Sequence, residues 1–114
     1  MKKKLIKDPI FGCNFNLCFG DGIDFSKLLL KRHDYEDNFN NDSNAKCIFV
    51  ESGHAYLFVS KGFTQDILIH ELMHMVRWGM ERVGIYLCEE TDEVFAYYFQ
   101  FLFKECNKVL NEKL

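Results

Sequence analysis

The residues with the clearest chemical meaning are His70-Glu71-Leu72-Met73-His74, which form an HExxH pattern. Residues four apart on an α-helix differ by about 40° in azimuth and about 6 Å in height, so His70 and His74 would project from one face. Two imidazoles placed in this way can share a Zn²⁺ ion at about 2.0–2.1 Å from each nitrogen. Glu71 lies about 100° further round the helix, so we predict that it acts as a general base on water beside the metal.

The residues around this pattern predict the helix that it requires. Thr64 is a favourable N-cap, and the residues flanking the motif are mostly apolar and include no proline. We therefore predict a helix from Gln65 to Trp78 that ends at Gly79. An apolar surrounding would keep the site dry and strengthen the field of a metal ion. The alternative interpretation is that the two histidines of the motif are ordinary core or surface residues.

A catalytic zinc site needs a third protein ligand and an open fourth position. The longer HExxHxxGxxH pattern is absent, since Arg77 and Met80 occupy the positions of its glycine and last histidine. The nearest run of carboxylates precedes or begins the last predicted helix and comprises Glu89, Glu90, Asp92 and Glu93. Acidic residues at a helix N-terminus also interact favourably with the helix dipole, so most of this cluster is expected to be solvated. Only one of its carboxylates needs to face the metal.

The rest of the chain predicts a single α+β domain over residues 1–114. The first part of the chain predicts a solvated tail at Lys2–Lys7, a strand at 10–19, a helix or irregular segment at 24–33 and a polar loop at 34–44. Two strands follow at 46–51 and 54–60, joined by a turn at Ser52-Gly53. After the HExxH helix, we predict a connector at 80–88 and a helix from the N-cap Thr91 to about Leu110. Together they predict a short antiparallel or mixed sheet, with a β-hairpin packed on the HExxH helix and on a C-terminal helix.

Composition excludes several other classes of protein. The chain has 114 residues, of which 48% are hydrophobic, and this amount suits one packed domain. The formal charge of −3 disfavours a nucleic-acid partner. No apolar run approaches the roughly 20 residues that span a bilayer, so we expect no membrane partner. The five cysteines are odd in number and include no CxxC, which favours free thiols in the cytoplasm over disulfides or a cysteine zinc site.

The HELMH sequence and the acidic run after it resemble the gluzincin branch of the zincin metallopeptidases. In that group a glutamate on the following helix, in an ExxA or ExxD setting, completes the zinc site. Here eighteen residues separate His74 from Glu93, which lies in the run Asp-Glu-Val-Phe-Ala-Tyr. The short chain and its hairpin are also similar to small metallopeptidases encoded by phages and prophages. The resemblance implies a zinc-dependent hydrolase of peptide bonds, with zinc held by His70, His74 and Glu93, Glu71 as base, and a strand flanking the cleft.

Two questions stay open at the level of sequence. Gluzincin peptidases usually carry a further subdomain with a histidine or tyrosine that stabilises the oxyanion, and the local candidates here are Tyr97, Tyr86 and His54. Tyr97 also fits the core face of the last helix, and His54 fits a position at the hairpin turn. The alternative function is a non-catalytic zinc-binding protein of zincin fold that acts as a binding or regulatory factor of a phage or mobile element.

Overall fold

The computed structural model describes residues 1–34, 36, 44–50 and 54–111, and this part of the chain forms four strands and three helices. In chain order the elements are β1 (Lys2–Lys7), β2 (Asn14–Gly20), α1 (Gly22–His33), β3 (Ala45–Val50), β4 (His54–Ser60), α2 (Gln65–Glu81) and α3 (Asp92–Asn111). This arrangement confirms the predicted α+β class. Most of the predicted 34–44 loop and the whole Ser52-Gly53 turn lie outside the described residues.

The strands form one mixed sheet in the order β1-β2-β4-β3. β1 and β2 are antiparallel, β2 and β4 are parallel, and β3 and β4 are antiparallel. Side chains alternate between the two faces of the sheet. Leu17 and Leu57 pack with α2 and α3 on one face, whereas Cys18 and Phe58 pack with α1 on the other. β3 therefore lies at an edge of the described sheet, beside α2.

The N-terminal lysine-rich segment forms a strand, so the prediction of a solvated tail is wrong. Lys2–Lys7 pairs along its whole length with β2, from Lys2 opposite Phe19 to Lys7 opposite Asn14. Only Ile6 of this strand is buried. Backbone hydrogen bonds between strands do not require particular side chains, so a lysine-rich sequence can form an edge strand. Its charged side chains then discourage pairing of this edge with a strand of another chain. The predicted strand at 10–19 likewise begins later, at Asn14.

The helices differ from their predicted bounds in two places. The undecided segment near residues 24–33 is helical, with the carboxylate of Asp21 accepting a hydrogen bond from the Ile23 amide at 2.7 Å. α2 continues past Gly79 to Glu81, so the predicted end is wrong. A Cβ atom on Gly79 would lie 2.6 Å from the hydroxyl oxygen of Tyr98. This glycine therefore allows α3 to pack closely against α2 instead of ending the helix.

All five cysteines are free thiols, as the sequence predicts. Across the described residues, no helix is both long and apolar enough to cross a membrane.

A buried carboxylate ties the start of the chain to α3. Asp8 is 4% exposed, and its two oxygens accept hydrogen bonds from the amides of Ile10 at 2.7 Å and Phe11 at 3.1 Å. The hydroxyl group of Tyr98 donates to Asp8 Oδ2 at 2.7 Å. Burial, assisted by this hydrogen bond, raises the pKa of Tyr98 above its ordinary value, so the phenol stays protonated and remains a donor.

We expect Tyr98→Phe to lower the free energy of unfolding by about 1–3 kcal/mol, because it removes a donor from a buried carboxylate. Urea denaturation followed by circular dichroism measures this loss. Tyr97→Phe is the matched control, since Tyr97 is the neighbouring residue on α3 and is 65% exposed. Equal stabilities of the two variants would contradict a structural role for the Tyr98 hydroxyl.

Candidate metal site and cleft

His70 and His74 form an exposed pair on one side of α2. The opposite side of this helix is anchored in the core by Leu68, Leu72 and Val76, which are fully buried. Residues two positions from Leu72 in either direction lie about 160° from it, so both imidazoles project away from the core. The alternative that they are core histidines is therefore wrong.

The separation of the two rings suits a shared metal ion. Nε2 of His74 lies 3.3 Å from Nε2 of His70, and the ring centroids are 5.0 Å apart. In a tetrahedral zinc site with bonds of about 2.05 Å, two ligand nitrogens lie about 3.3 Å apart. The same separation suits a hydrogen bond between the rings in the metal-free chain. The separation of the two Nε2 atoms therefore matches that of two ligand nitrogens on one zinc ion.

Glu71 lies on the flank of α2 that faces the edge strand β3. It is half-buried, and its backbone carbonyl accepts a hydrogen bond from the thiol of Cys47 on β3 at 3.1 Å. Burial raises the pKa of Cys47 well above its ordinary value, and the charge and hydrogen bonding of Glu71 raise it further. The thiol therefore stays protonated and can donate. Nothing in the local sequence of Cys47 indicates this contact, although alternation along β3 places Ala45, Cys47 and Phe49 on one face.

Two hollows lie between β3 and the exposed flank of α2, one lined by His70 and the other by His74, and we call them together the groove. The hollow on the N-terminal side of the pair has a volume of about 400 Å³ and is lined by Asn44, Ala45, Asp66, Ile67, His70 and Glu71. The hollow on the C-terminal side has a volume of about 340 Å³ and is lined by Phe49, His74, Arg77, Trp78, Glu81 and Arg82. Each hollow is thus lined by one of the two histidines, and Glu71 shares one hollow with His70.

The structure does not bring Glu93 to the histidine pair. α2 and α3 run antiparallel, since Gln65 Nε2 donates to Asn107 Oδ1 at 3.0 Å while Gly79 faces Tyr98. His74 lies five residues before Gly79, and Glu93 lies five residues before Tyr98. Because the helices are antiparallel, these two steps run in opposite directions, so Glu93 and His74 are roughly 15 Å apart along the helix axes. Among the residues described, no group of three or more His, Cys, Asp or Glu side chains is placed to hold a metal. Glu93 as third ligand stays a prediction of the resemblance.

The candidates for oxyanion stabilisation also lie away from the pair. Tyr97 is 65% exposed and Tyr86 is 64% exposed, so the expectation that Tyr97 belongs to the core is wrong. His54 begins β4, and its ring lies 6.4 Å from that of His33, which in turn contacts Tyr56 on the α1 side of the sheet. None of the three candidates lines either hollow of the groove.

Comparison with known proteins gives no relative for this chain. No family model matches it, and neither do the curated proteins or the solved structures. The interpretation of the site therefore depends on the HExxH pattern and on the arrangement of its side chains.

The placement of Glu93 leads to a direct test of the third ligand. If α3 keeps its position, Glu93→Ala will change zinc affinity by less than about twofold, because a carboxylate roughly 15 Å away along the axes makes only a screened contribution. Isothermal titration calorimetry of the variant against the parent measures this, with Asp92→Ala as the matched control in the same helical turn. A selective loss of tenfold or more in Glu93→Ala would instead support the ligand that the resemblance implies, and would require α3 to move when zinc binds.

Proposed function

We propose that the chain is a zinc-dependent metallopeptidase-like protein that hydrolyses peptide bonds. The observation that carries this proposal is the 3.3 Å separation of His70 Nε2 and His74 Nε2 beside Glu71. The two imidazoles would supply two of the protein ligands of zinc, the described residues leaving the third ligand unassigned. The ion would supply Lewis acidity and lower the pKa of water.

Glu71 supplies the proton transfers of the proposed reaction. Glu71 lines the same hollow as His70, and its carboxylate would accept the proton of the attacking water and then deliver it to the leaving amine. The hydrogen bond from Cys47 holds the backbone of this residue against β3. A fixed base reduces the reorganisation that the reaction requires.

The edge strand favours a peptide as the substrate. Within the described sheet, β3 pairs on one side only, with β4. An extended peptide can add to an edge strand by backbone hydrogen bonds. A peptide that follows β3 along the groove would pass the histidine pair, with side chains or a terminus entering the two hollows.

A library of internally quenched fluorescent peptides tests this proposal. We expect hydrolysis by the zinc-loaded chain, its loss in excess chelator, and its recovery when zinc is added back. Hydrolysis that persists in excess chelator would contradict a metal-dependent mechanism. Zinc binding with no hydrolysis across the library would contradict the enzyme and favour a non-catalytic zinc-binding regulator.

A further inference from the structure

The C-terminal hollow of the groove has an aromatic wall. The rings of Phe49 on β3 and Trp78 on α2 stack with centroids 5.3 Å apart and an interplanar angle of 18°. Phe49 is 39% exposed, and its ring joins the strand to the helix beside His74. An aromatic wall next to the proposed reaction centre can contact the aliphatic part of a substrate residue.

The same hollow contains a guanidinium group for which the described residues provide no carboxylate partner. Arg77 is already paired, since its Nε lies 3.0 Å from Glu81 Oε2. The guanidinium of Arg82 lies over the ring of Trp78 at 5.2 Å from its centroid, and Nη1 donates to Cys13 Sγ at 3.0 Å. In the described part of the chain no carboxylate pairs with Arg82. Stacking on the indole orients this group while leaving further N–H donors for a ligand.

The two hollows have opposite electrostatic character. Of the described residues, Asp66 and Glu71 line the N-terminal hollow, and no lysine or arginine does. The described residues that line the C-terminal hollow include two arginines and one glutamate. A substrate carboxylate would be repelled at the first hollow and attracted at the second, so the groove can distinguish the ends or side chains of a bound peptide.

We propose that the C-terminal hollow, formed by Phe49, His74, Trp78 and Arg82, is a specificity pocket that takes a carboxylate of the peptide substrate. This inference rests on the proposed function for its placement beside the scissile bond. The carboxylate belongs either to an acidic side chain or to the C-terminus of the peptide. Arg82 binds it with its free N–H donors, and the stacked rings of Phe49 and Trp78 cover the adjoining carbon atoms.

Trp78 provides the measurement, because it is the only tryptophan of the chain. Glu71→Gln protein, which would not cleave the probes, is titrated while tryptophan fluorescence is followed. The probes are the blocked peptides acetyl-Ala-Ala-Glu-Ala-amide and acetyl-Ala-Ala-Gln-Ala-amide, and acetyl-Ala-Ala-Ala-Ala with a free C-terminus. We expect one or both carboxylate-bearing probes to bind about tenfold more tightly than the glutamine probe. The probe or probes that bind more tightly show whether the pocket takes the side-chain carboxylate, the C-terminal carboxylate or both.

Three variants in the same Glu71→Gln background assign the effect to Arg82. Arg82→Gln should abolish the preference, and Arg82→Lys, which keeps the charge without the planar fork, should retain part of it. Arg32→Gln removes an exposed arginine from α1, on the other face of the sheet, and should leave the preference unchanged. Equal binding of all three probes, or a preference that survives Arg82→Gln, would overturn the pocket.

Running these titrations with zinc and with excess chelator separates this inference from the proposed function. A preference that depends on Arg82 and persists in chelator supports the pocket, because direct binding of the carboxylate to zinc is then excluded. That same result from a chain that binds no zinc would contradict the proposed function alone. Zinc-dependent hydrolysis without any carboxylate preference would overturn the pocket alone.

Discussion

Glu71→Gln is expected to lower peptide hydrolysis by about 10²–10⁴-fold while leaving zinc affinity nearly unchanged. Glutamine keeps the volume of the side chain and can still make hydrogen bonds, but its amide cannot accept the proton of the attacking water. The fold is expected to survive, because the contact from Cys47 goes to the backbone carbonyl of residue 71 and not only to the side chain. Initial rates on the best library peptide, measured with zinc-loaded protein, give the size of the loss.

Asp66→Asn is the matched control for this substitution. Asp66 lines the same hollow as Glu71, so the control removes the same charge from the same region. A hydrogen bond from Thr64 lowers the pKa of Asp66 and holds its carboxylate in the ionised form at the start of α2. We expect this control to keep most of the activity. Loss of zinc in Glu71→Gln would show that Glu71 is a ligand, and unchanged activity would show that the base lies elsewhere.

The part of the site that the sequence predicts well is carried by a single helix. Thr64 marks the start of α2, the apolar residues set its buried side, and the spacing of His70 and His74 then fixes where both rings project. All of these features follow from residues near one another in the chain. The placement of the imidazole pair therefore needs no knowledge of the sheet.

The position of Glu93 depends on contacts that the local sequence does not encode. The register of α3 on α2 is set where Tyr98 packs over Gly79 and donates to Asp8, a residue ninety positions earlier in the chain. In the sequence Gly79 has the features of a helix end, and its role in close packing becomes visible only in three dimensions. A spacing of eighteen residues from His74 consequently does not determine whether a carboxylate on the next helix reaches the metal.

Strand pairing has the same long-range character. β1 has no clear alternation, and it forms because β2 offers a backbone edge along its full length. Cys47 and Arg82 were likewise unremarkable in the sequence. Cys47 meets Glu71 because β3 lies beside α2. Arg82 lies over Trp78 and donates to Cys13, which is 69 positions earlier in the chain.

Isothermal titration of zinc into the metal-free chain tests the central claim most directly. We expect about one ion per chain and a loss of affinity of about 100-fold or more in His70→Ala and in His74→Ala, because each removes one of the two nitrogens that fit the metal. His54→Ala is the matched control, since it removes a histidine from the other pair of rings in the structure. Full affinity in His54→Ala together with the two losses is the predicted result. No zinc binding by the parent chain, or equal affinity in all three variants, would contradict the account.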